Sequence, residues 1–176
     1  LQRFSDTATV SELPFIKQGD PFILVTPGGG GDGEELVDWV IRAYESDASL
    51  PHRSVIVLGP FMQSDRRAEF IARVDRLPQV EAITFDAHLE SLMDKALAVV
   101  AMGGYNTFCE ILSFDKRALV VPRTEPRQEQ LIRASRAAEL GLLTMLRGDA
   151  ERKADVMATA LRHLPQQNLP SRSVVP

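Results

Sequence analysis

Residues 97–110, LAVVAMGGYNTFCE, join a short apolar run to a helical pattern through two glycines. The apolar run 97–101 is typical of a strand that is buried on both faces of a parallel sheet. Gly103 and Gly104 end that strand, and a helix is predicted over residues 105–114. Such a turn places backbone N–H groups and the positive end of the helix dipole at the carboxyl end of the strand. There they favour an anion, most often a phosphate.

Polar side chains lie next to this predicted anion site. Asn106 and Thr107 supply donors, and Glu110 follows one helical turn later as an acceptor for hydroxyl groups. The spacing Thr107-x-x-Glu110 also matches a capping box, which satisfies a helix N-terminus without any ligand. The sequence of this stretch leaves both interpretations open.

Composition excludes several classes of protein. The chain has 176 residues, 44% apolar and 25% charged, as expected for one globular domain. Its net charge of −4 argues against nucleic acid as the main partner. The single cysteine, Cys109, excludes an internal disulfide and fits a cytoplasmic location. No apolar run approaches the roughly 20 residues of a membrane-spanning helix, so we expect no membrane insertion. Because the chain starts at Leu1, we expect a processed product or a piece of a longer protein.

Short apolar runs alternate with helical patterns along the chain. Strands are predicted at 22–26, 54–59, 80–85, 97–101, 117–121 and 142–146, and helices at 34–44, 64–77, 88–95, 105–114, 128–140 and 149–164. This alternation predicts an α/β fold. It is a single Rossmann-like, doubly wound domain over residues 21–164, with about six parallel strands and helices on both faces. If the strand order is 3-2-1-4-5-6, strands one and four are neighbours at the switch point, and both glycine loops meet there. Residues 1–20 are predicted to be a linker or arm, and residues 165–176 an irregular tail.

The loop after the first predicted strand, PGGGGDG at 27–33, resembles a dinucleotide fingerprint. Gly28-x-Gly30-x-x-Gly33 has the right spacing and lies between a strand and a helix. The fingerprint also needs an acid at the end of the second strand, but that strand ends Leu58-Gly59-Pro60. NAD and FAD are therefore disfavoured, and we expect no cofactor.

The three histidines give no sign of a metal site. His52, His88 and His163 are scattered, and no cluster of histidines, cysteines and carboxylates has the spacing of metal ligands. We therefore expect no metal ion and a metal-independent reaction.

Several motifs together resemble the C-terminal, donor-binding half of GT-B glycosyltransferases, in particular the bacterial peptidoglycan N-acetylglucosaminyltransferase family. They are the glycine loop at 28–33, Phe85, GGYNTFCE at 103–110, Pro122 and RQEQLIRA at 127–134. The resemblance spans about residues 21–146 and implies one half of a GT-B fold. It also implies a hexosyltransferase that takes a nucleotide diphosphate sugar, with a UDP-sugar preferred.

The resemblance assigns the diphosphate and ribose contacts to residues 103–110. Gly103, Gly104, Asn106 and Thr107 match the segment that holds the diphosphate in that family. Glu110 matches the glutamate that accepts from the ribose hydroxyls. Gly103 replaces a serine of that family and Asn106 an apolar residue, so the phosphate contacts are expected to differ in detail.

Other parts of the donor site are implied in the same way. Phe85 matches the residue beside the nucleotide base, and Glu129 and Gln130 match a pair of glutamines that reads sugar hydroxyls. The change to Glu129 leaves the sugar undetermined. The loop after the first strand faces the cleft between the two halves in that family, which here involves Gly28, Gly29, Gly30 and Gly31.

Two arginines flank the loop after the fifth strand. Arg123 and Arg127 are candidates to neutralise a leaving diphosphate. The alternative is a solvated loop in which they form ion pairs with Glu125 and Glu129.

The resemblance also implies a partner, because GT-B enzymes have two Rossmann-like domains. We expect the acceptor site and the catalytic base in an N-terminal domain or subunit, and weak donor binding with little turnover by this chain alone. A nucleotide-sugar epimerase or hydrolase half, and a non-catalytic donor-binding subunit of a two-chain transferase, remain alternatives.

Overall fold

Short apolar runs form the strands of one sheet. The computed structural model describes residues 18–28, 33–84, 89–125, 127–148 and 151–173. The strands are β1 (Phe22–Thr26), β2 (Arg53–Leu58), β3 (Val80–Thr84), β4 (Ala98–Ala101), β5 (Arg117–Val120) and β6 (Thr144–Met145). The helices are α1 (Glu34–Ser46), α2 (Ser64–Val74), α3 (Leu89–Lys95), α4 (Tyr105–Ser113), α5 (Glu129–Glu139), α6 (Ala154–His163) and α7 (Pro170–Ser173).

The strands pair in the order β3-β2-β1-β4-β5-β6, and every pairing is parallel. The predicted doubly wound Rossmann-like sheet is therefore confirmed, and its order is the one that makes the first and fourth strands neighbours. Thr26 at the end of β1 aligns with Ala101 at the end of β4. The chain changes direction across the sheet between these two strands, so their loops flank the point at which such folds bind ligands.

Helices cover both faces of the sheet because the central strands are apolar on both faces. In β1, Ile23 and Val25 pack into a core with α1, α2 and α6, whereas Phe22 and Leu24 pack into a core with α3, α4 and α5. All four side chains are almost fully buried. A strand buried on both sides is the arrangement that the continuous apolar pattern predicts.

Helix α5 ends as its sequence predicts. Gly141 has a φ of +73°, and its N–H donates to the Ala138 carbonyl oxygen at 3.0 Å. The Leu142 N–H donates to the Ala137 carbonyl oxygen at 2.9 Å. This pair of bonds is a Schellman motif, in which glycine is the residue that best adopts the left-handed conformation.

Helix α6 begins later than the predicted residue 149. Residues 149 and 150 lie outside the described residues, and Lys153 is an extended N-cap with φ −75° and ψ 135°. The Trp39 Nε1–H donates to the Lys153 carbonyl oxygen at 2.8 Å, and Arg42 Nη1 donates to the Arg152 carbonyl oxygen at 2.7 Å. These side chains of α1 hold the segment before Ala154 in an extended conformation.

The tail is not irregular over its described part, which corrects the prediction for 165–176. A 3-10 turn spans Leu164–Gln166, and α7 follows. The Ser171 N–H donates to Asp115 Oδ1 at 2.8 Å, and Arg117 Nε donates to the Gln167 carbonyl oxygen at 2.6 Å. The tail therefore packs on the start of β5 within the same chain.

The predicted arm at 1–20 lies outside the described residues up to residue 17. In the described ranges, no helix combines the length and the apolar character needed to cross a membrane.

Candidate functional site

A cleft of about 220 Å³ opens at the carboxyl ends of β1, β4 and β5. The loops that follow these strands meet there because the strands are parallel neighbours. The residues that line the cleft are Thr26, Pro27, Gly28, Met102, Gly103, Gly104, Tyr105, Asn106, Thr107, Arg123 and Gln130. The structure thus brings together seven of the residues predicted from sequence: Gly28, Gly103, Gly104, Asn106, Thr107, Arg123 and Gln130.

The turn after β4 requires a glycine at residue 103. Gly103 has a φ of +87°, and a Cβ atom built there would lie 2.8 Å from Val120 Cγ1. Both the backbone conformation and the contact with β5 therefore exclude a side chain. The sharp turn directs the chain from the end of β4 straight into α4.

The N-terminus of α4 points into the cleft. Gly104 is its N-cap, and the described part of the chain provides no side-chain hydrogen bond to this end of the helix. The first intrahelical bond of this turn runs from the Phe108 N–H to the Gly104 carbonyl oxygen at 2.9 Å. The N–H groups of Tyr105, Asn106 and Thr107 precede it and have no intrahelical acceptor. This arrangement suits an anion.

The capping-box interpretation of Thr107 and Glu110 is wrong. A capping box needs the threonine at the N-cap, but α4 starts at Tyr105, so Thr107 is its third residue and Glu110 its sixth. The two side chains are therefore not engaged in closing the helix end.

Gln130 connects the loop after β5 to the turn after β4. The Arg123 N–H donates to Gln130 Oε1 at 3.0 Å. Gln130 Nε2 lies 3.9 Å from the position that a Cβ atom of Gly104 would take. Because its oxygen is bound to the loop, Gln130 presents its NH2 group as a donor at the cleft.

The first glycine loop contributes Gly28 to the cleft. Gly28 has a φ of +85°, and a Cβ atom there would meet no atom within 4 Å. Gly29, Gly30 and Gly31 lie outside the described residues, as does Phe85. After this loop α1 begins with two carboxylates, Glu34 and Glu35, in its first turn.

Glu110 is half-buried on α4 and lies outside the set of described residues that line the cleft. Burial raises the pKa of its carboxyl group, and the nearby carboxylate of Glu90 on α3 raises it further. Desolvation and like-charge repulsion both favour the protonated form of an acid. This carboxylate is therefore held in a site that favours its neutral form.

Arg127 and Glu129 are solvent-exposed at the start of α5. Their side chains are 80% and 70% exposed, and Arg127 Nη1 lies 3.9 Å from Glu129 Oε1. This geometry is that of the solvated ion pair which the sequence left open as an alternative. Neither residue belongs to the set of described residues that line the cleft.

A larger cavity of about 550 Å³ adjoins the cleft through two shared residues, Met102 and Arg123. It lies between the start of α1 and the segments after β5 and β6. Its other lining residues are Glu34, Glu35, Leu36, Trp39, Val121, Pro122, Thr124, Glu125, Gly148 and Arg152. Arg123 thus stands between two open spaces at the sheet edge.

Sequence reasoning missed part of the cleft. Thr26, Pro27 and Met102 line the cleft because they lie at the carboxyl ends of β1 and β4. The predicted bounds of these strands would have been enough to identify them. Tyr105 lies within residues 97–110 but was not among the predicted site residues. Its side chain is exposed, and it lines the cleft. Among the described residues, no group of three or more histidines, cysteines and carboxylates is placed to hold a metal ion.

A six-stranded parallel sheet with helices on both faces and a glycine turn at its switch point defines a Rossmann-like α/β domain. The sequence matches the glycosyltransferase family 28 C-terminal domain over residues 23–171, and the chain belongs to this family. No curated protein sequence matches it.

Solved structures with the same fold include three glycosyltransferases. The calicheamicin glycosyltransferase CalG4 is 21% identical with a TM-score of 0.68, and the match covers 88% of this chain and 36% of CalG4. MurG of Acinetobacter baumannii is 16% identical with a TM-score of 0.69, covering 88% of this chain and 44% of MurG. Glycosyltransferase VinC, solved in complex with dTDP, is 21% identical with a TM-score of 0.61, covering 87% of this chain and 35% of VinC. The chain thus spans less than half the length of each of these proteins.

Proposed function

We propose that this chain is the donor-binding half of a GT-B glycosyltransferase and holds a nucleotide diphosphate sugar, with a UDP-sugar as the preferred donor. The observation that carries the proposal is the N-terminus of α4, which opens into the cleft with no carboxylate in its first turn. Membership of the glycosyltransferase family 28 C-terminal domain supports it. The dTDP complex of VinC supports a pyrimidine nucleoside diphosphate as the ligand.

The cleft supplies what a diphosphate leaving group needs. During transfer the bond between the anomeric carbon and the diphosphate oxygen breaks, and its electron pair stays on the diphosphate. The acceptor hydroxyl gives its proton to the catalytic base, which we place in the second half of the enzyme, and its oxygen bonds to the anomeric carbon. The first residues of α4 line the cleft, and so does Arg123. In this proposal the N–H groups of that helix end and the Arg123 guanidinium stabilise the charge that develops. In this proposal protein groups, rather than a metal ion, neutralise the leaving group.

The remaining donor contacts follow from the family resemblance. Glu110 accepts from the ribose hydroxyls and Phe85 lies beside the base. Gln130 and Glu129 contact the sugar, and the position of Gln130 Nε2 next to Gly104 supports a donor role for that amide. In the family that this chain resembles, the loop that corresponds to glycines 28–31 faces the cleft between the two halves, and we propose the same role for it here.

A second half completes the enzyme in this proposal. The matches cover only 36% of CalG4 and 44% of MurG, which leaves room in those proteins for another domain. We place the acceptor site and the catalytic base in an N-terminal domain or partner subunit, and the reaction in the cytoplasm. This chain alone then binds the donor weakly and transfers little or no sugar.

Calorimetric titration of the chain with UDP, dTDP, GDP and NADH tests the proposal. We expect saturable binding of UDP, weaker binding of dTDP and GDP, and none of NADH. A preference for dTDP or GDP would keep the transferase and change the nucleotide. Binding of NADH in place of the nucleoside diphosphates would contradict the proposal.

A further inference from the structure

Arg133 on α5 contacts the glycine turn from outside the cleft. Its Nη1 atom donates to the Gly103 carbonyl oxygen at 2.9 Å. The guanidinium carbon lies 5.5 Å from the ring centre of Tyr105 and 5.9 Å from that of Phe108. Arg133 is half-buried and is not among the described residues that line the cleft. Its position is thus fixed by two rings and one carbonyl group.

This contact fixes the orientation of the peptide unit between Gly103 and Gly104. In a trans peptide the carbonyl and the following N–H point in opposite directions. The carbonyl oxygen of Gly103 points to Arg133, so the N–H of Gly104 points away from Arg133. Gly104 itself lines the cleft. With its carbonyl oxygen bound to Arg133, this peptide unit thus has its N–H on the side away from Arg133.

The glycines at this turn make such a constraint necessary. Gly103 has a φ of +87°, and neither it nor Gly104 has a Cβ atom to bias the rotation of the peptide unit between them. A rotated unit would present a carbonyl oxygen to the ligand. Its partial negative charge would repel a phosphate, whereas the N–H attracts it.

We infer that Arg133 is a positioning residue for the donor diphosphate, which acts by holding the Gly103–Gly104 peptide with its N–H toward the cleft. The inference rests on the proposed function, since it needs a phosphate in the cleft. It differs from a purely structural role, in which Arg133 would only pack α5 against α4. It also differs from a long-range charge effect, which any nearby arginine would share.

The test compares Arg133→Met with Arg136→Met in the full chain. Arg136 lies on the same helix with its side chain 80% exposed, so its replacement removes the same charge without touching the turn. We expect Arg133→Met to weaken UDP binding about tenfold by calorimetry, and Arg136→Met to change it by less than about twofold. Arg133→Lys keeps a donor and a charge, and we expect it to restore most of the affinity.

An NMR measurement on the wild-type chain makes the test independent of variant folding. On addition of UDP the amide proton of Gly104 should shift downfield, as expected for an N–H that donates to phosphate. An unchanged Gly104 amide, or equal affinities of the two methionine variants, would overturn the inference and leave the proposed function standing. Absence of UDP binding by the wild type would remove both the proposed function and the inference.

Discussion

Helices α1 and α4 both have a glycine N-cap but differ in the charge of their first turns. The N-caps, Gly33 and Gly104, lie in the loops that follow two neighbouring strands, and within the described residues neither helix has a side-chain cap. The first turn of α1 carries Glu34 and Glu35, whereas that of α4 carries no acid. The dipole of α1 is therefore complemented by its own carboxylates, and that of α4 is left for a ligand.

The comparison explains why we propose the phosphate at the start of α4 and not at the glycine-rich loop before α1. The loop before α1 has more glycines and even matches the dinucleotide spacing, yet the carboxylates behind it repel an anion. Glu34 Oε2 lies 3.7 Å from Arg66 Nε, and Glu35 forms an ion pair with Arg152. Part of the negative charge is therefore neutralised by arginines of the same chain. The charge of the first helical turn, and not the number of glycines, separates the two sites.

The largest difference is expected from an alanine at the positive-φ glycine of each loop. At Gly103 the left-handed backbone costs about 1–2 kcal/mol and the approach to Val120 Cγ1 about 1–3 kcal/mol more. At Gly28 a Cβ atom meets open space, so only the backbone cost of about 1–2 kcal/mol applies. Urea unfolding of Gly103→Ala and Gly28→Ala measures both losses. Equal losses would show that the turn after β4 is not the tighter one.

A carboxylate added to the first turn of α4 should make that site resemble the start of α1. Thr107→Glu places a negative charge at the cleft, so we expect UDP affinity to fall at least about tenfold. The same change should stabilise the helix slightly, by about 0.3–1 kcal/mol. Calorimetry and thermal unfolding report the two opposite effects.

The matched control for this change is Ser64→Glu. Ser64 is exposed in the first turn of α2, at the same sheet edge, and lies outside the described lining of the cleft. It should leave UDP affinity within about twofold of wild type. A loss as large as that of Thr107→Glu would mean that charge acts at long range, and that the start of α4 is not the phosphate site.

Glu110→Gln separates ligand binding from stability. If Glu110 accepts from ribose hydroxyls, loss of the charge should weaken UDP binding about tenfold. The folded state should not lose stability at neutral pH, because burial and the Glu90 carboxylate both oppose the ionised form of Glu110. Reduced stability with unchanged UDP affinity would assign Glu110 a structural role.

Measuring the stability and UDP affinity of the wild type and of Glu110→Gln as a function of pH tests the role of Glu110 further. The pKa of Glu110 is raised in the folded state, so the folded protein binds more protons and loses stability as pH rises from the unfolded pKa through the raised one. Glu110→Gln should remove that decline. In the wild type, UDP affinity should fall as the pH drops through the raised pKa of Glu110. The phosphate groups of UDP also titrate, but they affect both proteins equally, so the difference in affinity between wild type and Glu110→Gln reports Glu110 alone.

The smallest effect is expected at α1. Glu35→Gln removes a carboxylate whose side chain is 65% exposed and which pairs with Arg152. Loss of such a surface pair should cost about 0.2–1 kcal/mol and change UDP affinity by less than about twofold. A severalfold gain in affinity would indicate that the phosphate lies at the start of α1.

The sheet could be predicted from sequence because its signal is local. All five residues of β1 are buried, and the first four, 22–25, are apolar, as expected for a run that is buried on both faces. The doubly wound arrangement followed from the alternation of strands and helices together with the right-handed crossovers that such folds use. The Schellman end of α5 was readable for the same reason, since Gly141 follows its last helical residues directly.

The parts that could not be predicted depend on contacts distant in sequence. The start of α6 is set by Trp39 and Arg42, which lie more than 100 residues earlier in the chain. The bond from Arg133 to Gly103 spans 30 residues and needs a particular side-chain conformation. The exposure of Arg127 and the proximity of Glu90 to Glu110 likewise follow from how helices pack on the sheet. The spacing of apolar and polar residues in the sequence does not indicate any of these contacts.

A crystal structure of the chain with UDP would locate the diphosphate itself. We expect phosphate oxygens within about 3 Å of the backbone nitrogens at the start of α4, among residues 104–107. We also expect the Gly103 carbonyl to remain bound to Arg133. A diphosphate bound instead to the first turn of α1, or a UDP molecule outside this cleft, would contradict the proposal.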